Sequence, residues 1–333
     1  MLKLPSIRCP GCGRTIESRQ YNPVASGRPP TATGYVSCLR RCEGCGLGFS
    51  NARTAEVDRL TIVFRDPFTN IPDYIAAGHN EVLRQALNRI NRPAKLLKFT
   101  SSKSEDHLTW TVFRYLQLAQ EMGKVVGWLG VDFMGNSAVE PSLLLWGCPL
   151  PPQDEAGKAV HERLIQLLDR LGENPHRRSE PDVILYYGER GIIFIEVKHD
   201  SPNDAKPADY KGWPIYLSKT EAFLDDVGVC QTGLYELARN WRIAWDLAGY
   251  RPMALINLGP NELFQGANQI KLSAFSETLN HEGSRRFLTI SWRRFLDAMP
   301  PLPSLATRLF RQSQSWIDAD FLELRGKGED SRS

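Results

Sequence analysis

The reading turns on PDVILYYGERGIIFIEVKHD, residues 181–200. Two apolar, β-branched-rich segments, Val183 to Tyr187 and Ile192 to Val197, flank Gly188-Glu189-Arg190-Gly191. That pattern predicts a β-hairpin with a longer loop. Charges sit where a buried strand should have none: Asp182 opens the first strand, and Glu196 and Lys198 close the second. Side chains alternate along a strand, so Glu196 and Lys198 share one face and Val197 points to the other. In an antiparallel pair the start of one strand lies beside the end of the next, so Asp182 is expected to approach Glu196 and Lys198. Two carboxylates and an ammonium at the edge of an apolar sheet are costly unless compensated. A divalent cation would compensate them: Mg²⁺ takes one or two carboxylates with phosphate oxygens and waters. The lysine then fits as a point charge near a phosphate or an attacking water. Ordinary solvated charges at a hairpin end are the alternative.

The spacing is less bare when the rest of the chain is added. Pro181-Asp182 followed by Glu196-Val197-Lys198 resembles the PD-(D/E)XK nuclease superfamily, the restriction-endonuclease-like fold. Gln231-Thr232-Gly233-Leu234-Tyr235 is similar to the QxxxY motif of its RecB-like branch. The motif falls on a stretch where Leu234, Leu237, Ala238, Trp241, Ala244, Trp245 and Ala248 recur at three and four, the apolar stripe of a helix. Gln231 and Tyr235 are expected one turn apart on that helix. The resemblance covers about residues 100–260 and implies an α/β fold, an αβββαβ core with a mixed sheet flanked by helices.

The chain has 333 residues, 42% hydrophobic and 24% charged, which is ordinary globular usage and room for more than one domain. No apolar run approaches the roughly 18 residues of a membrane helix, and Met1 to Pro5 lacks the apolar segment of a signal peptide, so a cytoplasmic location without membrane contact is expected. The net charge is only +3, but residues 1–50 carry seven basic groups (Lys3, Arg8, Arg14, Arg19, Arg28, Arg40, Arg41) against Glu17 and Glu43. That excess favours a polyanionic partner, with a merely solvated basic surface as the alternative.

Five of the seven cysteines lie between Cys9 and Cys45. Cys9-Pro-Gly-Cys12-Gly and Cys42-Glu-Gly-Cys45-Gly form two knuckles, each with a glycine that permits a tight turn after its second cysteine. Cys9, Cys12, Cys42 and Cys45 are predicted to make a closed, structural Zn²⁺ site, with no open position for catalysis. Cys38 is read as a buried small apolar residue or, second, as a substitute ligand for Cys42. Residues 1–52 therefore resemble a zinc ribbon, and 53–100 a connecting segment with a strand at Val57 to Phe64 and a helix at Asn80 to Ile90.

Ser104 is read as the N-cap of a helix running to about Glu121, with Glu105 on its inner stripe. Many superfamily members carry an acid on the first core helix that reaches the metal; Glu105 is the candidate here and Glu162 the runner-up. Strands are expected at Val125 to Phe133 and Ser142 to Trp146, and a helix from Glu155 to Leu171. His199 is read as pointing away from the Glu196/Lys198 face. Residues 205–225 are an insertion, with Lys206, Lys211, Trp213, Tyr216 and Lys219 suited either to nucleic-acid contact or to packing on the core through Trp213. Met253 to Leu258 is read as a buried strand, 261–325 as a helical C-terminal extension and 326–333 as a polar, disordered tail.

By resemblance, the nuclease part spans 101–260 and hydrolyses phosphodiesters. Asp182 and Glu196, with the carbonyl of Val197, would hold Mg²⁺ or Mn²⁺. Lys198 would position or deprotonate water or stabilise the transition state. Gln231 would steady the lysine or a water, and Tyr235 would contact a phosphate. The expected partner is DNA, double-stranded in preference, with a second copy of the chain or a helicase or ATPase as further partners. Restriction or phage defence is the favoured role; repair or recombination, and a non-catalytic zinc-ribbon binding protein on a degenerate nuclease fold, are the alternatives.

Overall fold

The computed structural model describes residues 1–27, 34–53, 60–70, 83, 93–129, 131, 139–176, 178–199 and 201–298. The chain divides into two compact units, one of residues 1–80, 92–111 and 300–333 and one of residues 81–91 and 112–299. Among the described residues no helix is long and apolar enough to cross a membrane.

In the first unit, short antiparallel pairs carry the cysteine knuckles. Ile7–Arg8 pairs with Thr15–Ile16, and Arg40–Arg41 with Gly48–Phe49. The ribbon does not stop at residue 52. Gly48–Phe49 pairs onward with Ile62–Val63, and the Ile62 N–H donates to Ser102 Oγ at 3.0 Å. A two-strand knuckle buries little on its own, and Leu60 and Ile62 complete its apolar cluster with Ile7, Ile16 and Phe49. The expected strand at Val57 to Phe64 is thus present at Ile62–Val63, and its residues 57–59 lie outside the described ones. The expected helix at Asn80 to Ile90 also lies outside them, apart from Leu83, which is helical and buried.

Helix α1 (Glu105–Leu118) begins in the first unit and ends in the second. Ser104 caps it, its Oγ accepting from the His107 N–H at 3.1 Å. Residues 106–114 are buried all round. Of the strand expected from Val125 to Phe133, Val125–Trp128 is instead a helical turn that continues a 3₁₀ turn over Met122–Lys124, and residues 130, 132 and 133 lie outside the described ones. A short apolar run does not distinguish strand from helix by periodicity, which explains the error.

The second unit is built on a mixed sheet: β1 (Ser142–Leu145), β2 (Cys148–Leu150), β3 (Val183–Tyr186), β4 (Ile192–Val197), β5 (Met253–Gly259) and β6 (Arg285–Ser291), in the order β6-β5-β4-β3-β1-β2. β2, β1, β3 and β4 are successively antiparallel; β4, β5 and β6 are parallel. Residues 181–200 form the expected hairpin, with Val183 opposite Ile195 and Tyr186 opposite Ile192. Helices α2 (Glu155–Arg170) and α5 (Tyr235–Ala248) cover one face. Val160, Leu164, Leu167 and Leu168 from α2, and Leu237, Ala238, Trp241 and Ala244 from α5, pack on Leu144, Ile184, Phe194 and Leu255. Each fully buried large apolar side chain stabilises this layer by about 1.5–3 kcal/mol.

Two boundaries differ from expectation. Between α3 (Trp213–Leu217) and α5, the single helix predicted through Gln231 and Tyr235 is two helices. α4 (Asp226–Thr232) ends at Gly233, which takes φ +73° and closes back on Cys230 O, and α5 starts afresh at Tyr235. The segment from 261 on is not purely helical. After α6 (Gly266–Glu277), Arg285–Ser291 forms β6, and α7 (Trp292–Ala298) follows. Arg285, Arg286, Thr289 and Ser291 hide a strand that, among the described residues, pairs on one side only. The part of the expected helical extension past 298 lies outside the described residues.

Gly233→Ala tests the helix break. A side chain in the left-handed region strains the backbone, and a Cβ here would meet Lys206 O at 3.2 Å. We expect urea unfolding to show a loss of about 1–2 kcal/mol.

Candidate functional site

Lys198 follows β4 at the carboxyl ends of three parallel strands, where the crevices of α/β sheets take up ligands. Its backbone is pinned from two directions. The Lys198 N–H donates to Leu258 O at 2.7 Å, and Trp292 Nε1 of α7 donates to Lys198 O at 2.8 Å. The side chain is buried (7% exposed) and its ammonium donates to Glu196 Oε1 at 2.7 Å and to Glu236 Oε2 at 2.5 Å. Asn240 Nδ2, one turn after Glu236 on α5, donates to Glu196 Oε2 at 2.6 Å. Both oxygens of Glu196 are therefore held. Asp182 precedes β3 in the register that carries it opposite Glu196, and its Oδ2 accepts from the Val197 N–H at 2.9 Å. Glu196 and Lys198 thus meet directly, and Asp182 stands at the level of Glu196 on the Val197 N–H.

Charge in this cluster is unbalanced. Burial first, then the charges of Asp182 and Glu236, hold the Glu196 carboxyl well above the ordinary range, against the pull of Lys198. Burial also pushes Glu236 up, but the charges of Lys198 and Arg239 and the hydrogen bond from Lys198 outweigh it, leaving Glu236 at about 2. Three carboxylates thus face the ammonium of Lys198 and the guanidinium of Arg239, whose NH2 donates to Glu236 Oε1 at 3.4 Å. With all three ionised the set carries one net negative charge, which a cation would offset. Asp182 and Glu196 are carboxylates of the kind a hard divalent ion takes, although Lys198 and Asn240 occupy both oxygens of Glu196 here.

The helix contribution differs from the sequence reading. Gln231 is exposed on α4, and Tyr235 is packed edge-on among Tyr210, Trp213 and Tyr216, with ring centroids 5.0, 5.1 and 5.6 Å away. The residues of α5 that touch Glu196 and Lys198 are Glu236 and Asn240. A signal for them existed: a carboxylate and an amide four apart, bordering the apolar stripe of Leu237, Ala238 and Trp241. Glu105 opens α1 and is half-buried. Glu162 is exposed on α2, in keeping with a solvated side chain. The insertion packs on the core, with Trp213 buried and its Nε1 donating to Pro207 O at 2.9 Å.

The four cysteine sulfurs of Cys9, Cys12, Cys42 and Cys45 all lie within 4.8 Å of one another, the one such group of three or more potential ligands among the described residues. Each knuckle closes on a backbone bond, Gly13 N–H to Cys9 O and Gly46 N–H to Cys42 O, both 2.8 Å, and Gly13 and Gly46 take φ of +75° and +77°. Backbone and thiol hydrogen bonds outweigh burial and pull Cys42 down to about 6, so this thiol readily becomes a thiolate. Four sulfurs so placed suit a tetrahedral structural Zn²⁺. Cys38 stands apart, buried against Val63 and Tyr35, as its reading as a small apolar residue required. Arg40 is likewise structural. It is buried and donates to the carbonyls of Pro5, Ser50 and Ala52 at 2.8–3.0 Å, so it is withdrawn from the basic surface that Lys3, Arg8, Arg14, Arg19 and Arg41 present.

Two outcomes follow from this geometry. Cys42→Ser should strip bound metal, measured by native mass spectrometry, and open residues 1–63 to proteolysis while the sheet unit stays protected. Glu236→Gln should lower stability by on the order of 2–3 kcal/mol at neutral pH. Because the Glu236 carboxyl is depressed in the folded chain, its contribution is complete above the ordinary value of 4.5 and is lost as pH falls toward about 2. The gap between variant and parent in urea unfolding should therefore narrow over that window. Comparison of the chain with family models, with curated proteins and with solved structures finds no match.

Proposed function

We propose that the chain is a divalent-cation-dependent DNA endonuclease of the PD-(D/E)XK type, with a structural zinc ribbon. The observation that carries this reading is the arrangement about Lys198. A buried ammonium, two acids from adjacent strands and a polar helix edge sit together where parallel strands end. A cluster serving the fold alone has little reason to gather three acidic side chains about one buried lysine, since buried ion networks are weak sources of stability.

In this reading Asp182 and Glu196 hold Mg²⁺ or Mn²⁺. When bound, the ion supplies charge neutralisation and a more acidic water. Lys198, paired with Glu196 and Glu236, stabilises negative charge on the phosphate and positions water. Asn240 and Glu236 set the orientation of Glu196 and Lys198. The oxygen of water bonds to phosphorus, the bridging phosphorus–oxygen bond breaks, the water's proton is released and the leaving oxygen takes one up. The products are a phosphate monoester and a free hydroxyl. The exposed bases of the first unit favour a polyanionic strand, and phosphate contacts of this kind carry no sequence information. Double-stranded DNA is the preferred substrate, and restriction or phage defence the role that we favour over repair or recombination.

The test is plasmid and linear-DNA cleavage with Mg²⁺ or Mn²⁺, with RNA assayed beside it. Asp182→Ala, Glu196→Ala and Lys198→Ala should each lower cleavage by at least about 100-fold, with the zinc and the circular dichroism spectrum retained. Full activity in any of the three contradicts the assignment. An inert parent chain would make the trio a structural ion network.

A further inference from the structure

β5 reads Met-Ala-Leu-Ile-Asn-Leu-Gly, and Asn257 interrupts an otherwise apolar run. It is completely buried, and among the described residues neither its Oδ1 nor its Nδ2 has a hydrogen-bond partner. A buried amide left so costs free energy comparable to a lost hydrogen bond, and each such group in a folded protein calls for a reason. Leucine would fill the same space without that penalty.

Its position supplies the reason. β4 and β5 are parallel, and Glu196 pairs with Asn257. Paired residues in a parallel ladder point to the same face, and neighbouring strands lie about 4.8 Å apart. The face is fixed by residues two positions earlier: Phe194 and Leu255 both pack in the layer beneath α5. Asn257 therefore stands beside Glu196 on the side from which Glu236 and Asn240 reach in. Together with Asp182 across from Glu196, it completes a polar row over three adjacent strands at the level of Lys198. Two positions on, Gly259 lies against the lysine: a Cβ there would meet Lys198 Cβ at 3.3 Å.

The donor and the acceptor of this one amide are both unpaired. A phosphate oxygen can only accept, and so satisfies Nδ2 alone. A water can donate to Oδ1 or accept from Nδ2, and meets the needs of either end. We propose that Asn257 binds the attacking water and orients it beside Glu196. This inference rests on the nuclease reading and adds a residue that binds the reacting water. The amide gives up no proton; it fixes the direction of the water's lone pair as the bond to phosphorus forms.

Asn257→Leu separates this role from a structural one. We expect kcat for plasmid nicking to fall by roughly tenfold or more with KM changed less than about twofold, because a misaligned nucleophile weakens the chemical step rather than binding. The Tm should stay level or rise, since an unpaired amide has gone. Asn257→Ser, which restores a donor and an acceptor, should recover part of the rate. A variant that cleaves as fast as the parent, or one whose Tm falls in step with its rate, overturns the proposal while leaving the nuclease reading intact. A parent chain that does not cleave at all overturns both.

Discussion

The arrangement depends on one shared ammonium. Lys198 lies buried between Glu196 on its own strand and Glu236 on the covering helix, 2.7 and 2.5 Å away. An ion set of this kind adds little net stability, because desolvating the charges offsets most of their attraction, yet removing one partner leaves an uncompensated buried charge. The lysine thereby ties the hairpin of residues 181–200 to α5, and fixes which turn of that helix faces the strand ends. Asn240 reaches Glu196 only because Glu236 reaches Lys198 one turn earlier.

The sheet makes this possible through its change of direction. β3 runs against β4, so Asp182 comes to the level of Glu196; β5 runs with β4, so the chain must cross the sheet, and α5 is that crossing. The strand and helix after it then close the edge. β6 pairs with β5, and Trp292 at the start of α7 bonds the carbonyl of Lys198. Residues beyond the apparent end of the core thus belong to the site's support. The cysteine unit is a separate solution to a different problem: its apolar cluster is small, and its four thiols stand close enough together to hold a metal ion.

Much of this was legible because strands and knuckles announce themselves locally. The hairpin, its register, the meeting of Glu196 with Lys198 and the level of Asp182 follow from alternation and a turn. The four cysteines follow from two spacings and two glycines. The stripe from Leu234 to Ala248 correctly located the covering helix. Where that helix began was not legible. Gly233 stands inside a continuous apolar period, and only its left-handed conformation separates Gln231 from the helix and moves the contacting pair to Glu236 and Asn240. β6 escaped because its exposed side and single pairing partner allow arginines and hydroxyls where a central strand has apolar residues. The ribbon's true extent depends on pairing between Phe49 and Ile62, a long-range contact that no local pattern encodes.

The central claim is that Asp182 and Glu196 grip a common divalent ion beside Lys198. Titration of Mn²⁺ into the zinc-loaded chain, followed by the electron paramagnetic resonance signal of the free ion, tests it without recourse to cleavage. Mn²⁺ should bind the parent chain, and that binding should disappear in the Asp182→Asn, Glu196→Gln double variant with zinc content unchanged. Equal Mn²⁺ uptake by the two, or none by the parent, would contradict that claim.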